Sequence, residues 1–247
     1  MEKLRYLSQG ETGLVVEFGD AIDPAVNTRV HDLARRIASE CKGLVEAVVP
    51  TYRSFLIFFD PLLISRHELT AKIDALASAA ESAQASASAA KIVVIPTLYG
   101  GEAGPDLEFV AGHNQLSPDE VVQIHSSTPY RIYMIGFTPG FPYLGGMSEK
   151  IAAPRLKVPR TKIPAGSVGI AGAQTGLYLV ESPGGWQLIG RTPLKVFNPA
   201  SEQPFLYSAG DFLQFEPITA AEFEQIENDV ARGVYQPKTF TDKEAAK

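Results

Sequence analysis

Gly136 to Met147 reads GFTPGFPYLGGM, twelve residues with four glycines and two prolines. Helix and central strand both reject this composition, because glycine gives up backbone entropy in either and proline has no N–H to donate. Yet the segment carries Phe137, Phe141 and Tyr143, rings large enough to anchor a core or a contact surface. On both sides lie short β-type runs divided by Gly/Pro turns: Tyr130–Gly136, Gly176–Val180, Trp186–Gly190, Leu194–Phe197 and Asp211–Phe215. Short strands at such spacing predict an antiparallel barrel or sandwich.

Upstream, Lys91–Pro96 reads as a strand running into the glycine-rich loop YGGEAGPD. Ser117 with Glu120 makes a capping box for a helix from Pro118 to about Ser126. The first ninety residues have a different character. Leu14–Phe18, Leu44–Val49 and Phe55–Phe59 read as strands. Asp23 and Pro24 start a helix whose Val26, Val30, Leu33 and Ile37 recur at helical spacing, and Ser65 with Glu68 caps a second one. The order β-α-β-β-α is close to a ferredoxin-like unit, with a sixth element in Lys91–Ile95 or elsewhere. The Ala/Ser stretch Ser78–Ala90 extends the helix and then suits a linker. The fold class expected is α+β. Residues 1–90 form a small α/β domain ending in the linker, 91–218 a β-barrel, and 219–247 a helix capped by Thr219 and a polar tail that frays from Gln236.

The chain of 247 residues is 45% hydrophobic and 20% charged, enough for a sizeable core. No run of about 18 apolar residues is present and the first residues lack a signal-peptide core, so a cytoplasmic protein is expected. The lone Cys41 excludes a disulfide framework and a multi-cysteine metal site, and no metal is expected. A net charge of −6 argues against nucleic acid. Residues 130–200 nonetheless hold eight Lys/Arg against two acids, a net +6 that leaves −12 elsewhere, together with 11 of the 21 glycines. Positive charge on irregular backbone suits a small-anion site.

Candidate residues follow from that window. Arg155 and Arg160 each stand one residue after a proline, either as an exposed basic loop or as rigid guanidinium forks for a carboxylate or phosphate. AGSVGIAG and QTG (Gln174, Thr175, Gly176) supply small residues through which backbone N–H groups approach a ligand. Trp186, beside Gln187 and Arg191, caps the core or walls a pocket. His125, at a helix C-terminus, is either a dipole partner or a polar pocket contact. No phosphate-binding GxxxxGK[ST] or GxSxG elbow is present.

Taken in order, HSSxxY, GFTPGFPYLGGM, PR…VPR…IPAGSVGIAGAQTGLY and SPGGWQLIGRTP carry a resemblance. Over about residues 5–217 the chain resembles the B-subunit family of prokaryotic 5-oxoprolinase, also called allophanate hydrolase subunit 1 or the sporulation-kinase-inhibitor family. The resemblance implies a cyclophilin-like barrel. It implies a paralogous C subunit and an A subunit as partners, ATP in the complex, and opening of 5-oxo-L-proline to L-glutamate, with this chain inactive alone. Relatives also inhibit a histidine kinase or serve as the carboxyltransferase part of urea carboxylase, so these roles stand as alternatives. On the family motifs, Arg155, Arg160, Gln174, Thr175, Gly176 and Arg191 are expected to bind substrate or anion. His125 is expected to act as proton or hydrogen-bond partner. Phe137, Pro139, Gly140, Phe141, Tyr143 and Trp186 are expected to wall a pocket or a contact surface for a partner chain.

Overall fold

The computed structural model describes residues 3–82, 90–199 and 204–241. The chain separates into two compact units, Met1–Ser88 and Ala89–Lys247. Residues 83–89 of the expected linker lie outside the described residues.

The first unit runs β1 (Arg5–Gln9), β2 (Gly13–Glu17), α1 (Pro24–Glu40), β3 (Val45–Pro50), β4 (Ser54–Phe59) and α2 (Arg66–Ser82). Its strands form one antiparallel sheet in the order β1-β2-β4-β3. A ferredoxin-like sheet whose last strand had moved to the front of the chain has this order. The sixth element is therefore β1, not Lys91–Ile95. RYLSQ is mostly exposed at the sheet edge, so it lacks the apolar alternation that marks a strand. The helices start where their caps predict. The Asp23 carboxylate accepts from the N–H groups of Ala25 and Val26 at 2.8 and 3.0 Å. The Ser65 N–H donates to Glu68 at 3.0 Å, and the Glu68 N–H returns to Ser65 Oγ at 3.3 Å. From α1, Val30, Leu33 and Ile37 are buried against Leu14, Val16, Phe55 and Ile57 of the sheet. Each such side chain contributes about 1.5–3 kcal/mol of transfer free energy. Cys41 closes α1, its N–H bonded to the Ile37 carbonyl at 2.9 Å, and burial pushes its thiol pKa up, away from nucleophilic character.

The second unit runs β5 (Lys91–Tyr99), α3 (Leu107–His113), α4 (Pro118–Ser126), β6 (Tyr130–Ile135), β7 (Pro142–Gly145), β8 (Arg160–Ile163), β9 (Ser167–Ala171), β10 (Gln174–Leu177), β11 (Ser182–Gly184), β12 (Gln187–Arg191), β13 (Phe212–Pro217), α5 (Ala220–Ala231) and β14 (Thr239–Thr241). The main sheet has the order β10-β9-β12-β5-β13-β6-β7 and curls until its end strands, β10 and β7, lie beside each other without ladder bonds. It is a nearly closed barrel filled by Val93, Ile95, Ile132, Val168, Ile170, Leu177, Ile189, Leu213 and Phe215. A separate two-stranded ribbon pairs β8 with β11.

The barrel differs from the purely antiparallel one expected, because β5 and β13 pair in parallel from Ile92↔Phe212 to Thr97↔Pro217. Leu194–Phe197, expected as a strand, makes only the isolated bridge Phe197↔Phe205. Its Leu194 and Val196 are buried all the same, so the apolar pattern reported core and not ladder. The polar tail is not wholly frayed. β14 pairs with Lys91–Val93 on the edge of β5 that β12, bonded only at Leu98 and Tyr99, leaves open. Residues 242–247 lie outside the described residues. Helix α5 begins with the capping box of Thr219 and Glu222.

Candidate functional site

The loop joining β6 to β7 is built from two successive turns. Thr138 N–H bonds to the Gly136 carbonyl at 2.8 Å, closing a three-residue turn around Phe137. Phe141 N–H bonds to the Thr138 carbonyl at 3.0 Å, closing the turn Thr138-Pro139-Gly140-Phe141. Proline at the second position and Gly140 at φ +82° at the third are what a type II turn demands. A Cβ on Gly140 would sit 2.7 Å from Leu179 and Phe205. From behind, buried Tyr207 donates its hydroxyl to the Gly140 carbonyl at 2.9 Å. Phe137 is held at φ +63° and is 77% exposed. That backbone region costs a bulky residue on the order of 1–3 kcal/mol.

This loop forms one wall of a cleft of about 380 Å³. Its apolar lining includes Phe137, Phe141, Tyr143, Tyr178 and Trp186. The rings meet edge to face: Phe141 and Trp186 at 6.3 Å, Tyr178 and Trp186 at 6.2 Å, Phe141 and Tyr143 at 5.3 Å. Pro159, Pro183, Gly184 and Gly185 close the side nearest the β8–β11 ribbon. The indole has a seat made by omission, since a Cβ on Gly176 would fall 2.8 Å from its Cζ3.

The two candidate clamps behave differently. Arg160 forms an ion pair with Asp106 at 2.7 Å and donates to the Trp186 carbonyl at 3.3 Å. The second Asp106 oxygen accepts the Leu188 N–H at 2.6 Å. Arg160 is thus consumed by a brace that holds the start of β12, and with it Trp186. Asp106 comes from the glycine-rich loop after β5, where Gly104 packs so tightly on β12 that a Cβ would lie 2.0 Å from the Ile189 carbonyl oxygen. Arg155 instead lies over the Trp186 ring at 5.8 Å, and among the described residues no carboxylate pairs with it. Its backbone is fixed on both sides: Gln187 Nε2 donates to the Pro154 carbonyl at 2.8 Å, and the Leu156 N–H to the Gly185 carbonyl at 2.7 Å. Arg155 is thus an exposed cation on a tethered backbone beside the aromatic wall of the cleft.

His125 is fully buried and does not line the cleft. Its Nε2 lies 2.7 Å from Thr175 Oγ1 and its Nδ1 2.8 Å from the Tyr99 hydroxyl. Thr175 donates its one hydroxyl proton to the Gly169 carbonyl at 3.2 Å. Nε2 therefore carries the proton toward Thr175, and Nδ1 accepts from Tyr99. Burial pushes the imidazole pKa down to about 3, so the ring is neutral at physiological pH. The same burial lifts the Tyr99 hydroxyl well above its ordinary range. His125 acts as a strut that sets Thr175, which does line the cleft.

Of the residues singled out by sequence, the cleft gathers Phe137, Phe141, Tyr143, Arg155, Gln174, Thr175 and Trp186. Pro139 and Gly140 shape the loop behind it, and Gly176 seats the indole from beneath. Arg191 lies on β12 away from the cleft, its Nε donating to the Ala165 carbonyl at 3.2 Å. AGSVGIAG offers no open backbone to a ligand, because Ser167–Ala171 is a wholly buried strand paired on both edges. Sequence reasoning missed Asp106 and Tyr178. The Pro105-Asp106 helix entry is a signal for the former, and the latter ends the motif IPAGSVGIAGAQTGLY. Among the described residues no cluster of His, Cys, Asp and Glu could hold a metal ion, and no helix is long and apolar enough to cross a membrane.

Residues 4–207 match the family model described as the carboxyltransferase domain, subdomain C and D. The chain is 46% identical to the B subunit of 5-oxoprolinase from Bacillus subtilis (strain 168) over 223 residues, 87% of this chain and 92% of that one. It is 41% identical to the B subunit of 5-oxoprolinase from Escherichia coli O157:H7 over 217 residues, 88% and 97% respectively. Among solved structures, the protein TTHA0988 superposes with a TM-score of 0.75 at 34% identity, over 84% of this chain and 40% of that longer one. On these matches the chain belongs to the family of 5-oxoprolinase B subunits and carries a carboxyltransferase domain, subdomain C and D.

Proposed function

We propose that this chain is the B-type component of a cytoplasmic, ATP-dependent complex that opens 5-oxo-L-proline to L-glutamate, working with a paralogous C subunit and an A subunit. Family membership supports the assignment. The observation that carries it to a site is the Arg155 guanidinium, without a carboxylate partner among the described residues, against the Trp186 wall of the cleft. 5-Oxoproline is a small five-membered lactam with one carboxylate. The guanidinium fork matches the carboxylate, the rings match the faces of the lactam, and Gln174 and Thr175 add polar side chains to the same lining.

Ring opening breaks the lactam C–N bond and adds the elements of water, leaving an amine and a second carboxylate. ATP supplies the driving force for hydrolysing a stable amide. The lining of the cleft suits a lactam better than a nucleotide. Among the described residues it offers one guanidinium free of a carboxylate, no run of glycine N–H groups at a helix N-terminus, and no acidic cluster beside it. These features favour the lactam over the nucleotide as the occupant of this cleft. Within it, Arg155 anchors the substrate, the aromatic walls exclude water from the ring faces, and the His125–Thr175 strut keeps the inner wall in place.

The test is ATP-dependent 5-oxo-L-proline turnover by the chain co-expressed with its A and C partners. Arg155→Ala should raise KM about tenfold or more, the worth of a charge-assisted hydrogen bond. No turnover by the wild-type assembly contradicts the function, and an unchanged KM in the variant contradicts the site. The match to a carboxyltransferase domain favours carboxyl transfer as a second reading. Turnover that requires a carboxylated biotin donor, in place of ATP and 5-oxoproline, would select it.

A further inference from the structure

Phe137 combines two features that the isolated fold does not need. Its backbone stands in the left-handed region, which glycine or asparagine would occupy more easily, and the residue is 77% exposed. The loop is tied at its base and at its turn. Gly136 N–H bonds to the Phe141 carbonyl at 3.0 Å across the loop base, and Tyr207 ties down Gly140. Among the rings of the described residues it meets the edge of Phe141, at 5.7 Å and 73°. Its remaining surface borders the cleft that also holds Arg155 and Trp186. A side chain held rigidly in an unfavourable conformation, with an apolar face turned to a ligand cleft, is a recognition device.

We propose that Phe137 is a specificity-determining residue whose ring covers one face of a small cyclic monocarboxylate anchored on Arg155, selecting ring-shaped ligands over open-chain amides of the same charge. The proposal rests on the cleft reading above and adds the basis of its selectivity. An open-chain amide keeps the carboxylate contact but presents no flat face to the ring, so it gains little from residue 137.

Trp186 is the only tryptophan of the chain, which makes intrinsic fluorescence a reporter of this cleft. The full chain is titrated with 5-oxo-L-proline and with N-acetylglycine, an acyclic amide with one carboxylate. Wild type should prefer the cyclic compound. Phe137→Ala and Phe137→Gly should weaken 5-oxo-L-proline about three- to tenfold and leave N-acetylglycine unchanged, while Phe137→Tyr retains the preference. Circular dichroism confirms that each variant is folded, and the glycine variant also removes the backbone penalty. In the assembled complex, Phe137→Ala should raise KM for 5-oxo-L-proline with kcat preserved. Equal losses for both compounds, an unchanged preference, no fluorescence response to either compound in the wild type, or a defect confined to assembly of the complex would each overturn the proposal. A wild-type complex that turns over 5-oxo-L-proline while Phe137→Ala keeps its preference sinks only the role of Phe137. Absence of turnover sinks the assigned function.

Discussion

GFTPGFPYLGGM and AGSVGIAG are both rich in glycine, and the barrel uses them in opposite ways. In the first, positive φ angles at Gly140 and Gly146, together with two prolines, force tight turns and push a ring into solvent. In the second, Gly169 lies inside a buried strand, where a Cβ would come 3.0 Å from the Gln187 carbonyl oxygen and 3.3 Å from Trp186 Cβ. Gly146 serves conformation alone and Gly169 room alone, while Gly166 and Gly172, at φ +83° and +59°, turn the chain at the two ends of the buried strand. The cleft exists because the two meet: the turns supply its exposed wall, and the space beneath β9 and β10 accepts the indole of its floor.

Gly176→Val, in the strand β10 that pairs with the buried glycine strand, should have the largest effect among substitutions that test glycine as a source of room. It would drive a branched side chain into the indole, destabilising the fold by about 3 kcal/mol through overpacking and shifting Trp186 emission. Wild-type stability in urea denaturation would break the claim that glycine there makes room. Asp106→Asn should come next, with a loss of about 2 kcal/mol, because it leaves Arg160 half-buried without its charge partner. The accompanying change in Trp186 emission separates a brace from a mere surface pair.

The His125 strut predicts a pH dependence. Folding holds the imidazole neutral down to about pH 3, whereas the unfolded chain protonates it near its ordinary value of 6.5. Between those values the unfolded state binds the extra proton. The contribution is therefore complete above pH 6.5 and falls away as pH drops, with a slope of up to about 1.4 kcal/mol per pH unit. Denaturation midpoints between about pH 6.5 and 4.5 measure it, and His125→Gln should remove the slope. The smallest effect belongs to Gly146→Ala. Gly146 has φ +98° with open space around it, so only conformational cost applies, about 1 kcal/mol in thermal denaturation.

Helices were legible where caps are local chemistry: Asp23-Pro24, Ser65 with Glu68 and Ser117 with Glu120 each mark a start that the structure keeps, whereas α3, whose Asp106 makes no side-chain cap bond, was not expected. Strands were legible only where residues alternate or cluster in apolar runs. Ser167–Ala171 is buried on both faces and interrupted by glycine, β1 is a polar edge, and β14 is three residues whose partner lies far away in sequence. Of the site, the aromatic and glycine motifs pointed to the right surface, yet the sequence treated Arg155 and Arg160 as equivalent. Their difference depends on Asp106, a contact across 54 positions of chain. In the same way, His125 read as a pocket group because nothing near it in sequence shows that Tyr99 and Thr175 enclose it.

The most direct test of the cleft as the seat of a small carboxylate is a crystal structure of this chain with 5-oxo-L-proline. The carboxylate should lie within hydrogen-bond distance of the Arg155 guanidinium, with the lactam ring between the Phe137 loop and Trp186. Density for the compound at another place on the barrel, with the Arg155 cleft holding only solvent, would contradict the account.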